Sequence, residues 1–128
     1  MLLLDTCILI WLSSEADQLS NKAAMAVSDN VGQLYTSAIS AWEIALGVSK
    51  GRLELGADPI VWFAQVTAKY NVAVVDVTWQ VAAASVQLPR HHSDPADRII
   101  IATAIDRGFQ IVSPDQEIRR YAGAQIIW

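Results

Sequence analysis

Short apolar runs alternate with helical segments along the whole 128-residue chain. The predicted strands are MLLLD, QLYTS, VAVVDV, FQIVS and, as an edge strand, AQIIW. The predicted helices are TCILIWLSS, NKAAMAVSD, AWEIALGVSK, IVWFAQVTAKYN, TWQVAAASVQL, PADRIIIATAIDRG and a short PDQEIRRYAG. Strands separated by helices pair in parallel through right-handed crossovers, with the helices on the faces of the sheet. The chain is therefore predicted to be an α/β protein with a mostly parallel central sheet flanked by helices.

The length suits one domain, spanning residues 1–128. Hydrophobic residues make up 53% of the chain and charged residues 17%, which excludes a disordered protein. The longest apolar stretch, MLLLDTCILIWL, is interrupted by Asp5 and falls short of the roughly 20 residues that a membrane span needs. It also lacks the basic start and the cleavage pattern of a secretory signal. We therefore expect a soluble, cytoplasmic protein with no membrane contact.

Four acidic residues stand where apolar runs give way to helical starts: Asp5, Glu43, Asp97 and Asp115. The C-terminal ends of parallel strands share one edge of the sheet, and ligand crevices of open α/β folds lie at that edge. Four carboxylates gathered there need protons or cations to compensate their charge, and a hard divalent cation with oxygen ligands does so at neutral pH. The pattern predicts a metal-ion site.

Each acid also has a purely structural alternative, because acids and hydroxyls cap helices. The caps to consider are Asp5, Ser40 with Glu43 as a capping box, Asp94 with Asp97 in the first turn, and Ser113 with Asp115 behind it. Taken singly, capping explains each position. The surroundings favour a site, because Asp5 and Glu43 lie in strongly apolar segments where an unpaired carboxylate is costly. Both roles can coexist, since a capping carboxylate keeps a second oxygen.

Several neighbours are candidates for supporting roles. Thr6 and Ser113 adjoin the acids and are expected to hold water or a carboxylate, or simply to cap helices. Arg98 follows Asp97 and is expected to contact phosphate or to neutralise the acids; the sequence does not separate these roles. His91 and His92 are candidates for phosphate or metal contacts, but solvated loop histidines are the favoured interpretation.

The formal net charge of −4 argues against a protein that binds nucleic acid by neutralising many phosphates. It does not exclude a nuclease, because cations held by an acidic site supply positive charge locally. Individual contacts with an RNA backbone are conceivable for Lys50, Arg52, Arg90, Arg119 and Arg120, with ordinary solvated charges favoured for each.

Four segments in this order, LLLDT, ISAWEIALGVSKGRLEL, HSDPADRIIIATA and IVSPD, resemble the PIN-domain ribonucleases, specifically the VapC toxins of bacterial and archaeal toxin–antitoxin modules. The resemblance spans nearly the whole chain and implies a three-layer PIN-like fold. It makes Asp5, Glu43, Asp97 and Asp115 the acidic quartet, with Asp5 and Asp97 as direct metal ligands and Asp94 in support. The family often has phenylalanine at position 96 and histidine at position 7, where this chain has Ala96 and Cys7. Neither difference removes an acid.

The resemblance implies an endoribonuclease that hydrolyses RNA phosphodiesters with one or two Mg²⁺ or Mn²⁺ ions and leaves 5′-phosphate and 3′-hydroxyl ends. It also implies a homodimer and a cognate antitoxin whose C-terminal segment lies near the acids. Trp11, Trp42 and Trp62 lie on strongly apolar helices, and a monomer of this size is not expected to bury all of them, which also favours a dimer.

Two other classes of protein compete with this interpretation. A receiver domain of the response-regulator type is also small, α/β and acidic at one sheet edge. It requires a phosphoacceptor aspartate, for which Asp76 is available, and a lysine after a later strand; none follows FQIV. A catalytically silent PIN-like domain that only binds a partner is the second alternative. The intact set of acids argues against it.

Overall fold

A parallel five-stranded sheet forms the centre of the computed structural model, which describes residues 1–128. The strands are β1 (Leu2–Leu4), β2 (Leu34–Ser37), β3 (Val72–Val75), β4 (Gln110–Val112) and β5 (Ile126–Ile127). They pair in the order β3-β2-β1-β4-β5, and all four pairings are parallel. The predicted α/β fold is confirmed, with β5 at the predicted edge.

Six helices connect the strands. They are α1 (Thr6–Ser14), α2 (Asn21–Asp29), α3 (Ala38–Ser49), α4 (Pro59–Lys69), α5 (Trp79–Gln87) and α6 (Pro95–Arg107). Short 3₁₀ segments cover Ala16–Gln18 and Gln116–Arg120, so the last predicted helix is a single 3₁₀ segment. No helix is both long enough and apolar enough to cross a membrane.

The start of α3 differs from the prediction. The Oγ atom of Ser37 accepts a hydrogen bond from the N–H of Ile39 at 3.1 Å, so Ser37 is the N-cap and the helix begins at Ala38. The predicted cap, Ser40, is fully buried within the first turns of the helix. The prediction was wrong because β2 runs directly into α3, without the loop that a later cap would require.

Both faces of the sheet are covered, which gives the molecule three layers. Alternate residues of a strand point to opposite faces. Leu2 and Leu4 pack with α1, α2 and α4 on one side, whereas Leu3 packs with α6 and the Gln116–Arg120 segment on the other. Because β1 is central and covered on both faces, it is an uninterrupted apolar run, and burial of each leucine contributes roughly 1.5–3 kcal/mol.

The order of the strands locates the crevice. The chain passes from β1 through β2 to β3 on one side of the sheet and then returns to place β4 on the other side of β1. In open α/β sheets, ligands bind beyond the carboxyl ends of the strands at such a reversal. The residues that follow β1 and β4 are Asp5 and Ser113 to Asp115, so two of the predicted site segments meet there.

Candidate functional site

The four predicted acids converge at the carboxyl edge of the sheet. Asp5 follows β1 as the N-cap of α1, Asp97 lies in the first turn of α6, and Asp115 follows β4 as the cap of the last 3₁₀ segment. Glu43 reaches the site from α3. A cavity of about 10 Å³, the size of one water molecule or one ion, is lined by Asp5, Asp97, Ile100, Ile101, Asp115 and Ile118.

Asp5 is held by one hydrogen bond to each of its two carboxylate oxygens. Its Oδ1 accepts the N–H of Thr6 at 2.8 Å, and its Oδ2 accepts the hydroxyl of Ser113 at 2.7 Å. The Oγ of Ser113 also accepts the N–H of Asp115 at 3.1 Å, which ties the end of β4 to the end of β1. Burial raises the pKa of Asp5 above its usual value, although these two hydrogen bonds oppose the rise. Ser113 thus holds the carboxylate of Asp5 by a hydrogen bond.

A chain of hydroxyls positions Glu43. The Oγ1 of Thr6 donates to Oε1 of Glu43 at 2.6 Å and lies 2.8 Å from Oγ of Ser40. Since Thr6 gives its single hydroxyl proton to Glu43, Ser40 is the donor to Thr6. Thr6 therefore holds both Asp5, through its backbone, and Glu43, through its side chain. Burial raises the pKa of Glu43, and the bond from Thr6 opposes that rise.

Asp97 lies at the centre of the cluster. Its carboxylate belongs to two groups of potential ligand atoms that lie within 4.8 Å of one another. One group contains carboxylate oxygens of Glu43 and Asp94, and the other contains a ring nitrogen of His92 and a carboxylate oxygen of Asp115. Burial, followed by the charges of Asp5, Asp94, Glu43 and Asp115, raises the pKa of Asp97 to about 7. Near neutral pH the clustered carboxylates therefore repel one another.

Asp94 combines both roles that its sequence suggests. Its Oδ1 accepts the N–H of Ala96 at 2.9 Å, so it caps α6, with Pro95 at the first helical position. Its carboxylate also belongs to the group with Glu43 and Asp97. Asp94 is therefore an exposed cap that lies beside the half-buried Glu43 and Asp97.

Arg98 has neither of its predicted roles. Its buried guanidinium donates four hydrogen bonds to backbone carbonyl oxygens: Val86 at 3.3 Å, Leu88 at 2.7 Å, Pro89 at 3.0 Å and His92 at 3.1 Å. The guanidinium bonds these carbonyls and makes no ion pair with the acids, so it fastens the end of α5 and the following loop to α6. Every residue has a backbone carbonyl, so no residue type in the sequence signals these partners, and this role was missed.

His92 is not the solvated loop histidine that was favoured. Its side chain is only 15% exposed, and its Nε2 lies 2.8 Å from Oδ2 of Asp115. The ring stacks parallel to Tyr121, with 6.0 Å between centroids, and its backbone N–H donates to the hydroxyl of Tyr121 at 2.7 Å. The position of His92 two residues before the Asp94-Pro95 cap was the available signal, because that cap returns the chain to the acidic edge.

The site fits a divalent metal ion. Carboxylate oxygens are the ligands that Mg²⁺ and Mn²⁺ prefer. Such oxygens are offered by Glu43, Asp94, Asp97 and Asp115, in groups whose ligand atoms lie within 4.8 Å of one another. A cavity of ionic size lies among the acids. Burial, and to a lesser extent the neighbouring carboxylates, raises the pKa of Asp5, Glu43 and Asp97, and a bound cation would favour their charged forms.

Comparisons with known proteins agree with this geometry. Residues 2–124 match the PIN domain family. The chain is 36% identical over 120 residues to Ribonuclease VapC22 of Mycobacterium tuberculosis, covering 93% of this chain and 90% of that protein.

Solved structures share the fold. VapBC2 from Rickettsia felis, bound to a promoter DNA fragment, aligns with a TM-score of 0.72 and 14% identity over 98% of this chain and 96% of that one. DNA-bound VapBC from Salmonella typhimurium aligns with a TM-score of 0.67 and 22% identity over 98% and 95%. The family match and the identity to VapC22 cover almost the entire chain, and the chain therefore belongs to the PIN domain family, among its VapC-type members.

Proposed function

We propose that this protein is a metal-dependent endoribonuclease and the toxin of a toxin–antitoxin module, with Mg²⁺ or Mn²⁺ as its cofactor. The observation that carries the proposal is the position of Asp97, which is shared by two groups of potential ligands and has a pKa raised to about 7. Asp5, Glu43, Asp97 and Asp115 are the proposed catalytic and metal-binding residues. Membership of the family and the likeness to a ribonuclease support the reaction class.

The residues of the chain prepare the site before any ion or substrate binds. Ser113 and the backbone of Thr6 fix Asp5, while the hydroxyl of Thr6 fixes Glu43. Ile100 and Ile101 give the crevice an apolar wall that limits water. A bound divalent ion supplies Lewis acidity toward water and toward the charge that develops on a phosphodiester. Such preorganisation of charge is worth more in a partly buried site than in bulk water.

A groove beside Glu43 supports RNA as the substrate. It encloses about 190 Å³ and is lined by Trp42, Glu43, Leu46, Gly47, Lys50, Arg52 and Asp94. The side chain of Trp42 is 54% exposed, and Lys50 and Arg52 are exposed too. An aromatic face next to basic side chains binds single-stranded nucleic acid by stacking a base and neutralising its phosphates. The groove leads such a strand to the acids.

Trp42→Ala is expected to weaken binding of single-stranded RNA by about tenfold or more, because base–aromatic stacking contributes roughly 1–3 kcal/mol per base. Trp42→Phe should retain most of the affinity. Fluorescence anisotropy of labelled RNA measures the effect, with Asp97→Asn present in every protein to prevent cleavage.

The matched control is Trp79→Ala, since Trp79 is 78% exposed on α5 and does not line the groove. Equal losses for Trp42→Ala and Trp79→Ala would contradict this groove as the path of the RNA.

The direct test of the reaction is cleavage of RNA by the purified protein with ends mapped. Mg²⁺ or Mn²⁺ should support cleavage that chelation abolishes, and the products should carry 5′-phosphate and 3′-hydroxyl ends. A metal-free ribonuclease that uses the 2′-hydroxyl leaves 2′,3′-cyclic phosphates instead, so such ends would refute the mechanism. Binding of metal without any cleavage would favour the alternative, a catalytically silent PIN-like domain that binds a partner.

We propose a cognate antitoxin as the protein partner. A structure described as a toxin-antitoxin complex from Klebsiella pneumoniae has the same fold, with a TM-score of 0.65 and 21% identity, which supports this partner class. The acidic crevice is suited to an arginine or lysine of an inhibitory segment, because a guanidinium pairs with carboxylates in the space that a metal would take. The proposal places the protein in the cytoplasm, where its RNA substrate is.

We also propose that residues 1–128 form one PIN-like domain that associates as a homodimer. The prediction that the tryptophans are not all buried is right, because Trp42 is 54% exposed, whereas Trp62 is 7% exposed in the core and Trp11 packs against Trp128 at 6.0 Å between ring centroids. Other large apolar side chains are well exposed, including Ile60 at 81% and Trp79 at 78%. Exposed apolar surface of this kind supports self-association.

A further inference from the structure

His92 is the one nitrogen donor at the acidic crevice. Its Nε2, together with one carboxylate oxygen each from Asp97 and Asp115, forms a group in which all potential ligand atoms lie within 4.8 Å of one another. Asp97 is the one residue that this group shares with the second group, which also contains Glu43 and Asp94. The cluster therefore has two halves of different chemistry, one with oxygen donors alone and one with an imidazole.

The Nε2 of His92 lacks a satisfactory partner within the protein. The atom is buried, and although it lies 2.8 Å from Oδ2 of Asp115, the contact is not aligned as a hydrogen bond. At this distance the two atoms need a positive charge between them: a proton on Nε2 makes them an ion pair, and a divalent ion bound by both atoms takes the place of that proton.

His92 is held in place through its ring and through its backbone. Tyr121, which is 2% exposed, stacks parallel to it and accepts its backbone N–H, while Arg98 donates to its carbonyl oxygen at 3.1 Å. A ligand held this way loses little side-chain freedom when an ion binds, so the imidazole is preorganised at the crevice.

We propose that His92, Asp97 and Asp115 form a mixed imidazole–carboxylate subsite for a divalent transition-metal ion, and that His92 makes the protein prefer Mn²⁺ to Mg²⁺. The inference rests on the proposed metal-dependent function and adds a ligand to it. Mg²⁺ favours oxygen ligands and keeps its waters, whereas an imidazole nitrogen is a good ligand for transition metals. His92 thus decides which ion the site takes.

His92→Phe is the informative substitution, because phenylalanine keeps an aromatic ring against Tyr121 and removes the nitrogen donor. The matched control is His91→Phe: the ring of His91 also contacts Tyr121, edge-on at 4.9 Å, but His91 belongs to neither ligand group. His92→Phe should weaken Mn²⁺ binding by about tenfold or more, while Mg²⁺ binding changes far less. His91→Phe should leave both unchanged. Calorimetric titration measures the four affinities.

Electron spin-echo modulation of bound Mn²⁺ gives a second readout that does not depend on activity. Nitrogen modulation is expected in the wild type and in His91→Phe, and it should be absent from His92→Phe. Labelling His91→Phe with ¹⁵N-histidine leaves His92 as the only labelled residue, so an isotope shift identifies the ligand even if His92→Phe folds poorly.

Mn²⁺ bound without nitrogen modulation, or equal losses of Mn²⁺ and Mg²⁺ affinity in His92→Phe, would overturn the subsite and leave the proposed ribonuclease intact. A wild-type protein that binds no divalent ion at all would overturn the proposed metal-dependent function as well.

Discussion

Asp97→Asn should reduce metal-dependent RNA cleavage by about a hundredfold to a thousandfold or more, since removal of a single preorganised charge-stabilising group has effects of this size. The reason is positional: Asp97 belongs to both groups of potential ligands, so its loss weakens each of them. An asparagine keeps the shape and one oxygen but carries no charge to hold a divalent ion. Cleavage of labelled RNA in Mg²⁺ and in Mn²⁺ measures the loss.

The same substitution should raise the stability of the metal-free protein. Burial and neighbouring carboxylates raise the pKa of Asp97 from 3.8 to about 7 in the folded chain. Between these two values the folded state holds a proton that the unfolded chain has released, so stability from this group falls as pH rises from about 4 to about 7. Above about pH 7 the stability stays at this lower level, because Asp97 is ionised in both the folded and the unfolded state. Asparagine has no charge to bury and removes this dependence.

Thermal unfolding of metal-free protein across this pH range tests the second effect. The wild type should become less stable as pH rises, and Asp97→Asn should show a flatter profile and a higher melting temperature near pH 8. The raised pKa values of Asp5 and Glu43 add slopes of the same sign, so the variant keeps some pH dependence. Added Mg²⁺ or Mn²⁺ should stabilise the wild type more than the variant, by preferential binding to the folded state.

Asp106→Asn is the matched control, because Asp106 is an exposed acid on the same helix, α6. It should cleave RNA and unfold like the wild type. If Asp97→Asn instead destabilised the metal-free protein and retained cleavage, Asp97 would be a structural residue of the first helical turn and not part of a metal site.

Arg98→Met should destabilise the protein by about 3–5 kcal/mol, because loss of a buried charged donor leaves several backbone carbonyls without partners. The guanidinium bonds carbonyl oxygens of Val86, Leu88, Pro89 and His92. Of these four oxygens only that of Pro89 has a second donor, the N–H of His91 at 3.0 Å, and methionine, of similar length, supplies none. Urea unfolding at neutral pH measures the change.

Arg107→Met serves as the control, since Arg107 is exposed in the last turn of the same helix, and its substitution should cost well under about 1 kcal/mol. Arg98→Lys should recover only part of the loss, because one ammonium group cannot reach carbonyls that a planar guanidinium spans. Equal stability of Arg98→Met and Arg107→Met would show that water satisfies the carbonyls and that the clamp is dispensable.

Sequence alone determined the fold class and the edge at which the acids meet. Short apolar runs alternate with helices, so the sequence predicts parallel pairing and right-handed crossovers. Asp5 directly follows β1, Asp115 follows β4 after two residues, and Asp97 follows a proline-marked helix start, so the order of the elements brings all three to one edge. A local rule also predicted the cap Asp94 correctly, because a cap bonds residues only two or three positions away.

The tertiary structure alone decided the partners of the polar side chains. Thr6 and Glu43 are 37 residues apart in sequence, and Ser113 and Asp5 are 108 apart, so no local pattern encodes either bond. Arg98 and His92 were misjudged for a related reason: what surrounds them is set by how α5, α6 and Tyr121 pack. Sequence fixes which groups carry charge and where strands end, whereas burial, which decides whether a charge is solvated, clamped or available to a metal, arises only when distant elements pack together.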